Sequence, residues 1–234
     1  MIWTWLLDLL YPPKCPFCGK LLESPLLALC ENCQEVIPWL EGENALRKIE
    51  FTEGCYSPMA YRNSVPDSIH RFKFYGCPSY GRRYGILVAQ CVQDHYTKPL
   101  DFVTWAPISQ KRLRTRGYDQ GKKLAEGVAE QLGLPLQKTL KKVRHTQAQS
   151  TLSEDAQRRG NVLGAYQMLD GVNVAGKHIL LVDDVVTSGS TLEECASVLM
   201  EHGAAQICCA TLAQSRKNRQ NFSLGTENCF EKNS

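Results

Sequence analysis

The order of elements along the chain predicts an α/β fold with a parallel sheet, preceded by a small module that contains four cysteines. Short apolar runs typical of buried strands alternate with longer stretches of helical periodicity, a pattern typical of parallel sheets covered by helices. The four cysteines occur near the start as two closely spaced pairs. A length of 234 residues with 43% hydrophobic residues is enough for one or two domains with a full core.

The first ten residues, MIWTWLLDLL, place Trp3, Leu6, Leu7 and Leu10 on one face of a helix. Ten helical residues would span about 15 Å, half the thickness of a bilayer core, so no transmembrane segment is expected. The stretch also lacks the basic start and small-residue cleavage site of a secretory signal. We expect a short helix packed on the body, or in contact with a membrane surface or a partner, in a protein of the reducing cytoplasm.

The stretch CPFCGKLLESPLLALCENC contains two C-x2-C pairs separated by eleven residues. Each pair can direct two thiolates at one point, and two such turns complete a tetrahedral sulfur site that suits zinc. The predicted ligands are Cys15, Cys18, Cys30 and Cys33. Four protein ligands leave no open position for a catalytic water, so the predicted zinc is structural.

The remaining elements are predicted from apolar spacing and from turn residues. Residues 41–50 are expected to form a connection and residues 49–62 to be extended. The predicted helices cover residues 64–76, 80–96, 118–133 and 190–203. The predicted strands cover residues 101–107, 136–145, 164–169, 178–183 and 205–213, with a polar loop at 145–161. The expected domains are residues 1–40, 41–98 and 99–216, followed by a polar tail at 217–234.

Charge is unevenly distributed, although the formal net charge is only +3. Residues 1–53 contain four basic and eight acidic side chains, whereas residues 107–163 contain twelve basic and five acidic ones. The middle of the chain can therefore attract a polyanionic ligand. The acidic balance of the cysteine module argues against a role of that module in nucleic-acid binding.

The stretch ILLVDDVVTSGST, residues 179–191, runs from a buried strand into two acids and then into a small polar loop. In an open parallel sheet, ligands lie beyond the carboxyl ends of the strands, so Asp183 and Asp184 should face a ligand crevice. Gly189 lets the backbone approach a ligand closely, and the N–H groups of the following helix start can bind phosphate. Acids beside a phosphate-binding loop predict a sugar phosphate as the ligand.

Three other interpretations of this stretch account for its residues less well. A P-loop would require a lysine that the stretch does not contain. A phosphorelay receiver would require an aspartate at the end of a later strand, and the sequence has no aspartate after Asp184. Ser190 and Glu193 could form a capping box, but a capping box leaves the two adjacent acids unexplained.

The same stretch resembles the phosphoribosyl-pyrophosphate (PRPP) signature of type I phosphoribosyltransferases. The four-cysteine module and the stretches APISQKRLRTRGYDQGKKLA and RHTQAQSTLSEDAQRRGNVLGAY extend the similarity to the ComF family of competence-associated proteins. The resemblance runs from Leu9 to about Leu212 and keeps the motif order. It implies a type I phosphoribosyltransferase-like sheet with flanking helices.

The resemblance also implies roles for particular residues. Asp183 and Asp184 would bind the ribose hydroxyls, directly or through Mg²⁺. The 5-phosphate would be bound by Thr187, Ser188, Gly189, Ser190 and Thr191. Pyrophosphate would be bound by Ser109, Lys111, Arg112 and Arg116. A mobile loop over residues 145–161 would contribute Arg144, Arg158 and Arg159. Residues 55–85 correspond to the segment that selects the acceptor, where Arg71, Lys73 and Tyr75 are suggestive but without assigned roles.

Relatives that salvage purines have an aspartate where this chain has Thr187, so transfer to hypoxanthine or guanine is not expected from the resemblance. The loop is closer to the orotate and glutamine-amidotransferase-linked kinds. Three hypotheses follow: a phosphoribosyltransferase with an unidentified nucleobase or other small acceptor, a PRPP-binding protein without turnover, or a scaffold with a decayed site. The second would act in DNA uptake during transformation, through single-stranded DNA or a helicase partner.

Overall fold

Three parallel strands form the centre of the main sheet in the computed structural model, which describes residues 12–144 and 163–215. The long strand β7 (His178–Val186) lies between β4 (Phe102–Trp105) and β8 (Gln206–Gln214). β7 is three residues longer than the predicted strand 178–183. The prediction was too short because β8 continues beside β7 until Val186 pairs with Gln214, whereas β4 ends at the level of Val182.

The other edge of the sheet is built from the segment 49–62, which was predicted to be extended, and from residues 46–47, which were predicted to be part of a connection. Both β2 (Cys55–Tyr56) and β3 (Met59–Ala60) pair in parallel with β8, and β1 (Leu46–Arg47) pairs with β2 in antiparallel orientation. Pro58 lies between the two short strands, and a proline has no N–H to donate to a continuous ladder. The resulting strand order is β1-β2-β8-β7-β4, with β3 also beside β8.

Helices cover both faces of the sheet, which confirms the predicted α/β fold. Their bounds, in chain order, are α1 (Glu31–Val36), α2 (Val65–Phe74), α3 (Tyr80–His95), α4 (Gln110–Arg116), α5 (Gln120–Leu132) and α6 (Ser190–Glu201). Alternate β7 side chains serve the two faces: Leu180 and Val182 belong to the core under α3 and α5, whereas Ile179 and Leu181 belong to the core under α6.

Helices α3 and α5 pack unusually closely, because glycines lie at their contact. A Cβ atom on Gly85 would lie 2.5 Å from the Cα atom of Gly127, so neither helix could approach as it does with a side chain there. Gly133 ends α5 in the left-handed conformation (φ 65°), which agrees with the predicted helix end at residue 133. This close packing fixes α5, whose first turn faces the carboxyl end of β7.

No helix was predicted between the strand at 101–107 and the helix at 118–133, but the structure has α4 there. The helix begins after Ser109, whose hydroxyl accepts a hydrogen bond from the Arg112 N–H, and it ends at Gly117 in the left-handed conformation (φ 79°). The prediction missed it because a seven-residue helix offers too little apolar periodicity to detect. Two further strands, β5 (Leu140–Lys142) and β6 (Tyr166–Met168), pair in antiparallel orientation beside the main sheet.

Within residues 12–144 and 163–215, no helix is long and apolar enough to span a membrane. The predicted N-terminal helix, the whole polar loop at 145–161 and the polar tail at 217–234 lie outside the described residues.

Candidate functional site

The carboxyl end of β7 opens into a cleft of about 380 Å³. Its walls come from α2, the loop after β4, helices α4 and α5, strands β5 and β6, and the loop that leads into α6. The polar and aromatic side chains that line it are Tyr61, His70, Lys73, Phe74, Arg112, Arg116, Gln120, Lys142, Tyr166, Asp183, Asp184, Thr187 and Thr191. The cleft lies where open parallel sheets bind ligands.

The two adjacent acids are held differently at the end of β7. Asp184 is buried, with 6% of its surface exposed, and accepts hydrogen bonds from Lys73 Nζ at 2.6 Å and from Gln120 Nε2 at 3.0 Å. Asp183 is only partly buried, and its Oδ1 accepts the backbone N–H of Asp184 at 2.8 Å. Asp184 is therefore fixed by partners from two helices, whereas Asp183 faces the cleft as a less compensated carboxylate.

Burial and the neighbouring carboxylate of Asp184 raise the pKa of Asp183 to about 7. The Asp184 N–H and the charges of Lys73 and Lys142 act in the opposite direction but do not cancel that rise. A carboxyl group held at such a pKa is costly to ionise until a cation or a set of donors approaches it. The acid pair is therefore suited to a ligand that brings positive charge or hydroxyl groups.

The loop from Val186 to α6 forms a small polar cup. Its sharp turn needs Gly189, which has φ 98° and whose added Cβ would lie 2.7 Å from Ile49 Cδ1. The hydroxyls of Ser188 and Ser190 are 2.9 Å apart, and Arg47 donates to the Ser188 carbonyl at 3.3 Å. Gly189, rather than the side chain of Ser190, caps α6, so the capping box considered from the sequence does not form.

Three basic side chains face the acids across the cleft. The guanidinium of Arg116 lies 4.6 Å from the centroid of the Phe74 ring, and Arg112 lies on the same helix. Lys142 Nζ donates to the Tyr166 hydroxyl at 2.9 Å. Burial, and then the charge of Arg112, lower the pKa of Lys142 to about 8. This wall concentrates positive charge where a polyanionic group could bind.

The structure brings together many, but not all, of the residues that the sequence assigned to the site. The acids, Thr187, Thr191, Arg112 and Arg116 line one cleft. Ser109 instead is buried and caps α4, Lys111 is exposed outside the cleft, and Arg144 donates to the Leu163 carbonyl. Arg158 and Arg159 lie outside the described residues.

Sequence reasoning assigned no site role to Gln120, Lys142 or Tyr166, and it named Lys73 only as suggestive in the acceptor segment. Gln120 carried a detectable signal, because it lies four residues before Leu124 and thus continues the apolar stripe of α5 with a polar side chain. Arg71, noted in the acceptor segment, points elsewhere and donates to the Pro16 and Phe17 carbonyls. Lys73 reaches Asp184 across 111 residues of sequence, which no local pattern reveals.

The second site is the four-cysteine cluster near the start of the described chain. The Sγ atoms of Cys15, Cys18, Cys30 and Cys33 all lie within 4.8 Å of one another. Tetrahedral zinc with bonds of about 2.3 Å would place its sulfurs about 3.8 Å apart, so the cluster has dimensions that fit the ion. The cluster confirms the predicted grouping of these four side chains.

The electrostatics of the cluster also suit a cation. Burial raises the pKa of Cys15, but hydrogen bonds from backbone N–H groups outweigh this effect and lower it to about 7. Burial and the crowding by the other three thiols raise the pKa of Cys33 well above its ordinary value. A divalent cation would relieve that crowding by stabilising the thiolates together. The residues present therefore fit a structural zinc ion.

Comparisons with known protein families agree with this geometry. Residues 119–232 match the phosphoribosyl transferase domain, and residues 6–44 match the double zinc ribbon domain. The first match contains the acid pair and the polar cup, and the second contains the four cysteines. The fold and the two sites thus define a protein with a type I phosphoribosyltransferase-like domain and a structural zinc module.

Similarity to individual proteins over most of the chain shows the family to which the chain belongs. The chain is 30% identical to the DNA utilization protein YhgH of Salmonella typhi over 199 residues, which cover 82% of this chain and 80% of the relative. It is 29% identical to Competence protein F of Haemophilus influenzae over 201 residues, which cover 83% and 82%. The chain belongs to this family, the ComF family.

Among solved structures, glutamine PRPP amidotransferase from B. subtilis, complexed with ADP and GMP, is 22% identical to this chain with a TM-score of 0.41. The similarity covers 60% of this chain and 30% of that chain. The fold assignment itself rests on the strand order and the domain match.

Proposed function

We propose that the protein binds PRPP in the cleft and transfers the 5-phosphoribosyl group to an acceptor, with release of pyrophosphate. One observation carries this proposal: the acid pair and Thr187 and Thr191 of the polar cup line the same cleft as Arg112 and Arg116. Carboxylates suit ribose hydroxyls or a metal, loop hydroxyls and N–H groups suit a phosphate, and guanidinium groups suit pyrophosphate. PRPP presents all three kinds of group on one molecule.

The residues then take the following roles. The Thr187–Thr191 cup, with Ser188, Gly189 and Ser190, holds the 5-phosphate, and the acids hold the ribose hydroxyls. The bond between C1 of ribose and the pyrophosphate oxygen breaks, and its electron pair leaves on pyrophosphate. An acceptor lone pair forms the new bond to C1, and the acceptor gives up its proton. Arg112, Arg116 and Lys142 stabilise the charge that develops on pyrophosphate.

The same residues fit Mg²⁺, which takes oxygen ligands from carboxylates and substrate phosphates. When bound with PRPP, the ion would neutralise charge on the departing pyrophosphate. Asp183 is the better placed ligand, since both oxygens of Asp184 already accept hydrogen bonds. A ligand that uses Asp184 Oδ1 must displace the ammonium of Lys73.

Calorimetric titration tests the binding step. PRPP with Mg²⁺ should bind the wild type, and Arg112→Ala should weaken PRPP far more than ribose 5-phosphate, because only PRPP contains pyrophosphate. Arg114→Ala is the matched control, since Arg114 lies exposed on the same helix and does not line the cleft. Absence of PRPP binding, or equal losses for Arg112→Ala and Arg114→Ala, would contradict the proposal. Transfer is then tested by pyrophosphate release across a panel of nucleobases and single-stranded DNA.

A second candidate function is binding of single-stranded DNA without turnover, a role that would accord with the name DNA utilization protein of the Salmonella typhi relative. One surface of the chain favours it. His70 and Phe74 at the end of α2, and Tyr75 just after it, are exposed beside one another. The His70 ring centroid lies 4.7 Å from that of Phe74 and 5.6 Å from that of Tyr75. Arg116 continues this row over Phe74, and α4 contains four basic residues and no acid. Exposed rings beside positive charge are typical of surfaces that stack unpaired bases.

The binding of a fluorescent oligothymidine, measured by anisotropy at several salt concentrations, tests this second candidate. Tyr75→Ala should weaken binding by about 1–3 kcal/mol if the ring stacks a base. Arg114→Ala should instead lower the salt slope by about one if that side chain contacts a phosphate. Oligothymidine binding that responds to neither change would rule out this surface.

A further inference from the structure

Helix α2 contacts the zinc module at one side and the cleft at the other. On the module side, Arg71 Nη2 donates to the Pro16 carbonyl at 2.9 Å and to the Phe17 carbonyl at 2.7 Å. Ser68 Oγ donates to the same Pro16 carbonyl at 2.5 Å. Pro16 and Phe17 are the two residues between the ligands Cys15 and Cys18, so α2 binds the first metal-binding turn itself.

The contact between α2 and the turn is buried and packed. Phe17 is 5% exposed and meets the fully buried Tyr84 ring edge-on, with centroids 5.9 Å apart. Tyr84 in turn meets Phe72 of α2 at 5.2 Å, and its hydroxyl lies 2.6 Å from Ser68 Oγ. Since Ser68 gives its own proton to Pro16, the Tyr84 hydroxyl donates to Ser68. These contacts leave α2 little freedom to shift relative to the turn.

On the cleft side, the next residue of α2 after Phe72 is Lys73, which reaches Asp184 Oδ1 at 2.6 Å. The Phe72 carbonyl accepts a hydrogen bond from the Tyr118 hydroxyl, which ties the end of α2 to the segment just before Gln120. Gln120 is the other partner of Asp184. Both groups that hold Asp184 are thus connected to the metal-binding turn through α2.

We infer that Arg71 is a positioning residue, through which the zinc-binding turn holds α2 and thereby keeps Lys73 on Asp184. The zinc module thereby influences the cleft. When the metal-binding turn is formed, it places the Pro16 and Phe17 carbonyls where Arg71 can donate hydrogen bonds to both. The link from the metal-binding turn through α2 to Asp184 is inferred from the contacts alone. The expected effect of this link on PRPP binding rests on the proposed function.

Two measurements distinguish the positioning of Lys73 by Arg71 from its effect on PRPP binding. The first is the acetylation rate of Lys73, followed by peptide mass spectrometry, because an ion-paired and partly buried ammonium is protected from the reagent. The second is the PRPP affinity in the presence of Mg²⁺. Arg71→Ala should keep its zinc and acetylate faster at Lys73. It should bind PRPP about tenfold more weakly, because Asp184 is no longer held in position for the ribose hydroxyls and this outweighs the easier displacement of Lys73; the change is within the range of coupling between sites. Arg71→Lys should partly restore both the protection of Lys73 from acetylation and the PRPP affinity, since an ammonium can still donate to the two carbonyls.

Arg83→Ala is the matched control. Arg83 also donates to carbonyls of the zinc module, those of Leu27 and Pro25, but it lies on α3, which does not line the cleft. This variant should leave Lys73 acetylation and PRPP affinity unchanged. Equal effects of Arg83→Ala and Arg71→Ala would overturn the inference, because they would show a general loosening of the module.

If Arg71→Ala loses zinc or fails to fold, Ser68→Ala provides the test, since it removes a neutral donor to the same turn and little volume. Faster acetylation of Lys73 in zinc-containing Ser68→Ala supports the inference, and an unchanged rate in that variant overturns it. A wild type that does not bind PRPP would refute the proposed function, while the acetylation rates would still decide the positioning role.

Discussion

Replacing each of the two adjacent acids by asparagine should change the stability of the ligand-free protein in opposite directions. Asp183→Asn removes a carboxylate whose pKa is raised by burial and by Asp184, so the fold should gain stability at neutral and higher pH. Asp184→Asn replaces one carboxylate oxygen by an amide NH2 group, which donates and cannot accept. Lys73 and Gln120 donate to different oxygens of Asp184, so in the present geometry one of these hydrogen bonds is lost and the Lys73 ammonium loses its negative partner.

The magnitudes follow from the surroundings of each side chain. For Asp183, the difference between a pKa of about 7 and the ordinary 3.8 corresponds to about 4 kcal/mol. Solvent in the cleft screens part of this, so a gain of about 2 kcal/mol is expected at pH about 8. For Asp184, the side chain of Lys73 is 22% exposed and that of Asp184 is 8% exposed, so a loss of about 1–3 kcal/mol is expected.

The stability difference between Asp183→Asn and the wild type should also depend on pH, and the direction of that dependence can be measured. A carboxyl with a raised folded-state pKa contributes stability that is complete below its unfolded pKa and is lost as pH rises through the folded one. The advantage of Asp183→Asn over the wild type should therefore grow as pH rises from about 4 to about 7 and level off by pH about 8. Urea unfolding of zinc-loaded protein, followed by far-ultraviolet circular dichroism, measures it. A destabilised Asp183→Asn at pH about 8, or losses of equal size for both variants, would refute the reasoning.

Three further predictions concern the metal, the pyrophosphate wall and the cup. Cys30→Ser should lose zinc and unfold the zinc module, because structural zinc binding is itself folding free energy, and metal analysis that finds about one zinc per chain in this variant would contradict it. Arg116→Ala should weaken PRPP by about tenfold or more and ribose 5-phosphate little, as calorimetry would show, since guanidinium contacts to a charged group contribute about 1.5–3 kcal/mol. Thr187→Val should weaken ribose 5-phosphate by about 1 kcal/mol only, because the backbone N–H groups of the cup remain, and a complete loss of binding would contradict this.

Much of the fold could be predicted from the sequence because its signals are local. The apolar runs around Leu180 and Cys208-Cys209 indicated strands whose central residues are indeed fully buried, and helix periodicity located α3, α5 and α6 within a few residues. The cysteine spacing likewise predicted a cluster that closes within one module. The end of β7 could not be predicted in this way, because it depends on a neighbouring strand. β7 extends to Val186, beyond the predicted end at residue 183, because β8 continues beside it.

The candidate site divides in the same way. The acid pair and the cup lie within nine residues, Asp183 to Thr191, so their proximity could be predicted from one stretch of sequence. Lys73, Lys142 and Tyr166 reach the cleft from separate elements, and only tertiary packing brings them together. Arg71 and Lys73 are two residues apart and point to different sites, a division that depends on how α2 is packed and that composition cannot reveal.

The central claim, that the acids at the end of β7 hold the ribose of PRPP, is tested most directly by ligand-dependent stability. PRPP with Mg²⁺ at a hundredfold excess over its Kd should stabilise the wild type by about 2.7 kcal/mol, since it binds only the folded state. The double variant Asp183→Asn, Asp184→Asn should fold but lose most of that stabilisation. A wild type whose stability does not respond to PRPP, or a double variant that keeps the full response, would contradict the account.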